Sequence, residues 1–177
     1  MNLSCKIKTF LNNVPAIYKL NGERLSRIKF IEEYDRVQEY MFNNHLDSIV
    51  AIQLAKDYQY IICMIACMDL GITYVPLSLD FPASRVDQIR KISGFNYNIT
   101  SEIYQEILTK NSTKVNVVSL NNKISEDSIL YVLFTSGSTG IPKGVEIKRS
   151  SYENFLEWLN FEFDISGRGF TTDYLNS

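Results

Sequence analysis

Between Thr135 and Gly144 the chain reads TSGSTGIPKG, which gathers four hydroxyls, three glycines and one ammonium group within ten residues. Gly137, Gly140 and Gly144 let the backbone bend and come close to a ligand, while Thr135, Ser136, Ser138 and Thr139 offer hydroxyls. Lys143 adds a positive charge, and Pro142 fixes the chain just before it. Such a loop can wrap phosphate oxygens with backbone N–H groups and hydroxyls, so a polyphosphate is its natural ligand. A plain Gly/Ser turn between two strands is the competing reading. It does not account for hydroxyls on both sides of Gly137, or for a lysine immediately after a proline.

Two other nucleotide loops are excluded by spacing. The Walker pattern G-x-x-x-x-G-K-[ST] requires glycine directly before the lysine and a hydroxyl after it, whereas Pro142 and Gly144 flank Lys143. The dinucleotide pattern G-x-G-x-x-G fails because Gly137, Gly140 and Gly144 are three and then four apart. The single histidine, His45, and the three cysteines, Cys5, Cys63 and Cys67, supply too few ligands for a zinc site and no Cys/His catalytic pair. Cys63 and Cys67 lie four apart in an apolar segment and read as buried free thiols.

The elements that must position the loop follow from periodicity. Ile129–Phe134 (ILYVLF) is a continuous apolar run, the pattern of a strand covered on both faces, and it feeds directly into the loop. Val145–Lys148 reads as a short strand beyond it. Tyr152, Phe155, Leu156 and Leu159 then lie on one stripe of a helix started by Ser150 or Ser151, with Trp158 offset from it in a packing role. Upstream, Ser26 caps a helix over Ile28–Phe42, and Ser48–Leu54 and Ile72–Leu77 read as strands. Between those strands Asp57 caps a helix that carries Ile61, Ile62, Met64, Ile65 and Met68 and stops at Gly71. Pro82 suits the first turn of a further helix, with Val86, Ile89 and Ile92, that ends at Gly94. Arg85 falls in that first turn, away from the end a cation favours, so a salt bridge or a carbonyl contact must hold it. Phe95–Thr100 is a strand, Ser101 opens a short helix with Ile103, Ile107 and Leu108, Val115–Leu120 is a strand, and Asn121–Ser128 is a turn. Alternating strands and helices predict an α/β fold with a mainly parallel sheet flanked by helices.

The 177 residues are 45% hydrophobic, enough for one core, and show no internal repeat. A net charge of −2 gives no basic surface for nucleic acid or for an anionic membrane. No apolar run is long enough to span a bilayer and the N-terminus has no signal-peptide core, so the expected location is the cytoplasm.

Val132–Lys143 (VLFTSGSTGIPK) resembles the signature loop of the AMP-forming synthetase superfamily, which includes acyl-CoA synthetases, luciferases and the adenylation domains of nonribosomal peptide synthetases. Gly71–Arg85 (GITYVPLSLDFPASR) resembles a second core motif of that superfamily, in the expected order. Tyr74, Val75, Pro76, Pro82 and Arg85 look more like the amino-acid-activating members than the fatty acyl ligases. The stretches FTSGSTGIPKGVEI and SYENFLEWLNFEFDI are similar to D-alanine:carrier-protein ligases. Resemblance runs from Leu25 to Asp164, with Arg27 standing where the family often has an aromatic residue and Ser78 where it often has aspartate.

The resemblance implies an N-terminal part of the adenylate-forming large domain over residues 1–177, with the remainder and the small C-terminal domain outside it. It implies that Thr135, Ser136, Gly137, Ser138, Thr139 and Gly140 hold the β- and γ-phosphates of ATP, with Gly144 closing the loop and Lys143 and Thr135 the groups closest to catalysis. A carboxylate, an amino acid by the second motif, then attacks the α-phosphorus to give acyl-AMP and pyrophosphate, and a thiol of a carrier protein or coenzyme A takes the acyl group. Mg²⁺ accompanies ATP, with its usual carboxylate ligand beyond Ser177. A segment lacking the adenine contacts is expected to be inactive alone. A non-catalytic remnant that binds nucleotide or a partner is the alternative.

Overall fold

The computed structural model describes residues 17–19, 21–44, 49–110, 124–136 and 141–163. Its elements run β1 (Ile17–Tyr18), β2 (Arg24–Leu25), α1 (Arg27–Asn43), β3 (Ile49–Ile52), α2 (Tyr58–Leu70) and β4 (Thr73–Pro76). They continue with α3 (Ala83–Ser93), β5 (Tyr97–Ile99), α4 (Ser101–Thr109), β6 (Ile129–Ser136), β7 (Pro142–Lys148) and α5 (Arg149–Phe163). Strands β1 and β2 form a small antiparallel ribbon, and the other five form one sheet in the order β5-β3-β4-β6-β7. The pairs β3–β4, β3–β5 and β4–β6 are parallel, and β6–β7 is antiparallel.

Continuous apolar runs become central strands because both faces of this sheet are covered. In β3, Val50, Ala51 and Ile52 are all buried. One face packs against α1, α2 and α4, with Val37, Met41, Val50, Ile52, Ile62, Cys63, Tyr74, Tyr104 and Leu130 in a single cluster. On the opposite face α3 closes a smaller cluster of Ala51, Val75, Leu77, Val86, Ile89, Phe95 and Val132. The α/β architecture with a mainly parallel sheet is therefore the one the sequence predicts. The expected Val115–Leu120 strand and the first residues of the expected turn lie outside the described residues.

Local signals set the helix ends. Asp57 caps α2 by accepting from the Tyr58 N–H at 2.7 Å, and Gly71 ends it in the left-handed region at φ 71°. Gly94 closes α3 the same way, at φ 78°. Helix α4 opens at Ser101, as predicted, and Thr100 before it is the cap, its hydroxyl accepting from the Ile103 N–H. Pro82 sits one place earlier than predicted, as the cap of α3. Ser26 stands at the cap of α1, yet its side chain makes no capping bond.

The inner face of α2 differs from the predicted stripe. Ile62, Cys63, Ala66 and Cys67 are fully buried, whereas Ile61 is 49% exposed. Positions 62, 63, 66 and 67 recur at one and four, so they share a helix face that Ile61 flanks. Cys63 and Cys67 are buried free thiols, as predicted, and burial pushes the Cys63 thiol well above its ordinary range.

Candidate functional site

Strands β6 and β7 form a hairpin whose ladder pairs Phe134 with Gly144, Thr135 with Lys143 and Ser136 with Pro142. The glycine-rich segment falls between these two strands in sequence. Gly137, Ser138, Thr139 and Gly140 lie outside the described residues, whereas Thr135, Ser136, Lys143 and Gly144 are placed. Because β6 runs parallel to β4, Thr135 and Ser136 lie at the carboxyl end of a parallel strand. Ligands of open α/β sheets bind outside those ends.

Three of the predicted residues meet at that edge. Thr135, Ser136 and Lys143 are exposed, and the Thr135 hydroxyl donates to the Lys143 carbonyl at 3.5 Å across the hairpin. The ladder thus sets Thr135 and Lys143 on one face at the end of the hairpin, with Ser136 turned to the other, and these groups suit phosphate oxygens. Gly144 has a different reason to be glycine. It lies within the extended strand β7, and a Cβ there would sit 3.0 Å from Val132 Cγ1 and 3.2 Å from Phe134 Cζ. A side chain at this position would press on Val132 and Phe134 on the α3 side of the hairpin.

Strand β7 begins at Pro142, three residues before the predicted start. Pro142 is buried at the first position of the strand, where a missing N–H is tolerated. The coverage expected for the ILYVLF run also holds only in part. Leu130 and Val132 are buried, but Leu133 is 43% exposed and Val145, its partner across the hairpin, 44%. Opposed residues of an antiparallel pair share a face, so this face is open near the loop.

Two arginines brace the hairpin. Arg85, at the start of α3, donates from Nη2 to the Thr135 carbonyl at 3.2 Å, the carbonyl contact that its unfavourable helix position demanded. Its guanidinium lies 5.9 Å from the centre of the Phe81 ring. At the far end Arg149 is buried, donates to the Met68 carbonyl at 2.6 Å and so ties α5 to the end of α2. Desolvation by burial lowers the Arg149 pKa. Sequence reasoning missed Arg149, because a cation at a helix start follows no pattern. The Tyr152 ring meets Tyr131 edge-on, placing α5 over β6. Phe155, expected on the helix stripe, and Trp158, expected in a partly buried packing role, stack on each other and are about half exposed.

Among the described residues no group of three or more His, Cys, Asp or Glu side chains converges. The residues at the hairpin mouth fit phosphate and do not form a magnesium site of their own. No helix among them is long and apolar enough to cross a membrane.

A mostly parallel sheet covered by helices on both faces, with a Gly/Ser/Thr hairpin at the carboxyl end of one strand, has the architecture of an adenylate-forming N-terminal subdomain. The chain belongs to the AMP-binding enzyme family, whose model matches residues 43–173. Among curated relatives, the D-alanine–D-alanyl carrier protein ligase of Staphylococcus aureus (strain JH9) is 35% identical over 115 residues, 60% of this chain and 24% of that protein. Zwittermicin A synthase ZmaJ of Bacillus cereus is 30% identical over 133 residues, 69% of this chain and 25% of that protein. The chain thus spans about a quarter of the length of these relatives.

Solved structures agree on the fold. The N-terminal subdomain of Klebsiella oxytoca NpsA, in complex with 3-hydroxyanthranilyl-AMSN, superposes with a TM-score of 0.63 at 24% identity, over 82% of this chain and 39% of that one. O-succinylbenzoate coenzyme A synthetase (MenE) of Bacillus subtilis, in complex with AMP, gives 0.70 at 15% identity, over 97% and 47%.

Proposed function

We propose that this chain is the N-terminal part of the large domain of an ATP-dependent ligase that activates an amino acid as its acyl-adenylate, for transfer to a carrier thiol. The observation that carries the reading is the hairpin mouth. Thr135 and Ser136 end β6 at the carboxyl edge of the sheet, with Lys143 opposite Thr135, inside the segment that matches the family. There the hydroxyls and backbone grip the outer phosphates of ATP, and Lys143 offsets the charge that grows on the departing pyrophosphate. Catalysis in such a site consists mostly of alignment, which is worth about 7–11 kcal/mol of barrier. Mg²⁺ enters as the companion of ATP, with protein ligands from outside the described residues. Amino acids are favoured over fatty acids because of YVPLSLDFPASR and because a D-alanyl carrier protein ligase is among the relatives.

The test is ATP–pyrophosphate exchange in a polypeptide carrying this segment with the rest of its domain, against a panel of amino and fatty acids. Exchange is expected with an amino acid. Lys143→Ala should lower it about tenfold or more, since a charge-assisted contact contributes roughly 1.5–3 kcal/mol. The 177-residue chain by itself should give background exchange only. Activity with fatty acids alone, or an unchanged rate in Lys143→Ala, would refute the reading.

A further inference from the structure

We propose that Arg85 is a positioning residue for the phosphate site, holding the end of strand β6 through the Thr135 carbonyl. The inference rests on the phosphate reading of the hairpin and adds a residue that lies 50 positions upstream of it.

The need for such a residue follows from where the sheet stops. Strand β6 is paired on one edge by β7 as far as Ser136, but on its other edge β4 meets it only at Tyr74 opposite Tyr131. Strand β4 ends at Pro76, whose nitrogen carries no hydrogen to donate to β6, and no pairing beyond Tyr131 continues toward the loop. Thr135 therefore leaves the sheet with a strand on one side only. A carbonyl at that edge turns to water or to a side chain.

Arg85 fills that edge. Pro82 fixes the start of α3, Val86 and Ile89 anchor the helix in the smaller core beside Val75 and Val132, and the half-buried Arg85 guanidinium is steadied by the Phe81 ring. A planar guanidinium gives a directed N–H to the carbonyl and is always charged. The same contact places the Thr135 hydroxyl, which reaches across to the Lys143 carbonyl, so both strands of the hairpin mouth are fixed by one side chain. Arg85 acts through Thr135, and the phosphate contacts themselves belong to the hairpin.

The experiment uses the 177-residue chain and two variants. Arg85→Met keeps a long stem without donors, and Arg85→Lys keeps a charged donor. Hydrogen exchange is followed at the amides of 134–136 and 143–144 and, for comparison, at Val50 and Ile89 in the two cores. Affinity for inorganic pyrophosphate is measured by calorimetric titration. Arg85→Met should speed exchange at the hairpin mouth about tenfold and weaken pyrophosphate about fivefold, with the core amides unchanged. Arg85→Lys should recover most of both. Unchanged exchange at the mouth overturns the proposal, even if pyrophosphate weakens, because the arginine would then act on the anion directly. Equal acceleration at Val50 and Ile89 also overturns it, as that marks a general structural role. Failure of the phosphate reading shows separately, as an unsubstituted chain that does not bind pyrophosphate while its mouth amides still respond to Arg85→Met.

Discussion

Gly144 and Thr135 show how differently two residues of one motif are used. Glycine in a Gly/Ser/Thr loop reads as freedom to bend around a ligand, and at Gly144 that reading is incomplete. The residue is extended, and its missing Cβ lets β7 lie against Val132 and Phe134. Gly144→Ala should destabilise the chain by about 1–3 kcal/mol through overpacking, measured by urea unfolding. A change below about 0.5 kcal/mol, the range of an ordinary surface substitution, would show that the hairpin shifts freely and that the packing account is wrong. Thr135 and Lys143 were legible as candidates from residue type together with the motif resemblance. Their juxtaposition was not, because strand register depends on a partner strand with proline and glycine among its first three residues, both depleted from strands.

Helix ends and strand limits were read from local chemistry with uneven success, and the reason lies in what each signal measures. Asp57 and Gly71 act within their own turn, so their roles are visible in sequence and recur in the structure. Ser26 has the same residue type as a good cap, but its hydroxyl does not bond the turn it precedes. Asp57→Ala should therefore cost about 1 kcal/mol of stability and Ser26→Ala only a few tenths, compared by thermal unfolding at fixed pH. Equal losses in the two variants would mean that the capping geometry does not govern these helices. The α2 stripe was misread for a related reason. Ile61 through Met68 is apolar almost all round, so periodicity does not show which side turns inward, and the sheet selects Ile62, Cys63, Ala66 and Cys67.

For the whole molecule, alternation of strand and helix was enough to predict a parallel α/β sheet, and the two-motif resemblance was enough to predict the family. Strand order was not legible, since β5 crosses to the far side of β3 and β6 returns beside β4 through contacts distant in sequence. Nor was the open apolar face legible. Leu133, Val145 and Phe155 lie in segments whose patterns call for burial, and they are between 43% and 50% exposed, with the offset Trp158 beside them at 51%. The central claim is that the mouth of the β6–β7 hairpin binds the phosphates of ATP, and a titration of the isotope-labelled 177-residue chain with ATP and Mg²⁺, read by amide chemical shifts, tests it most directly. The account predicts saturable shifts confined to Thr135, Ser136, Lys143 and their neighbours, with millimolar affinity that Lys143→Ala weakens about tenfold. Shifts centred elsewhere in the chain, or an affinity unaltered by Lys143→Ala, would contradict it.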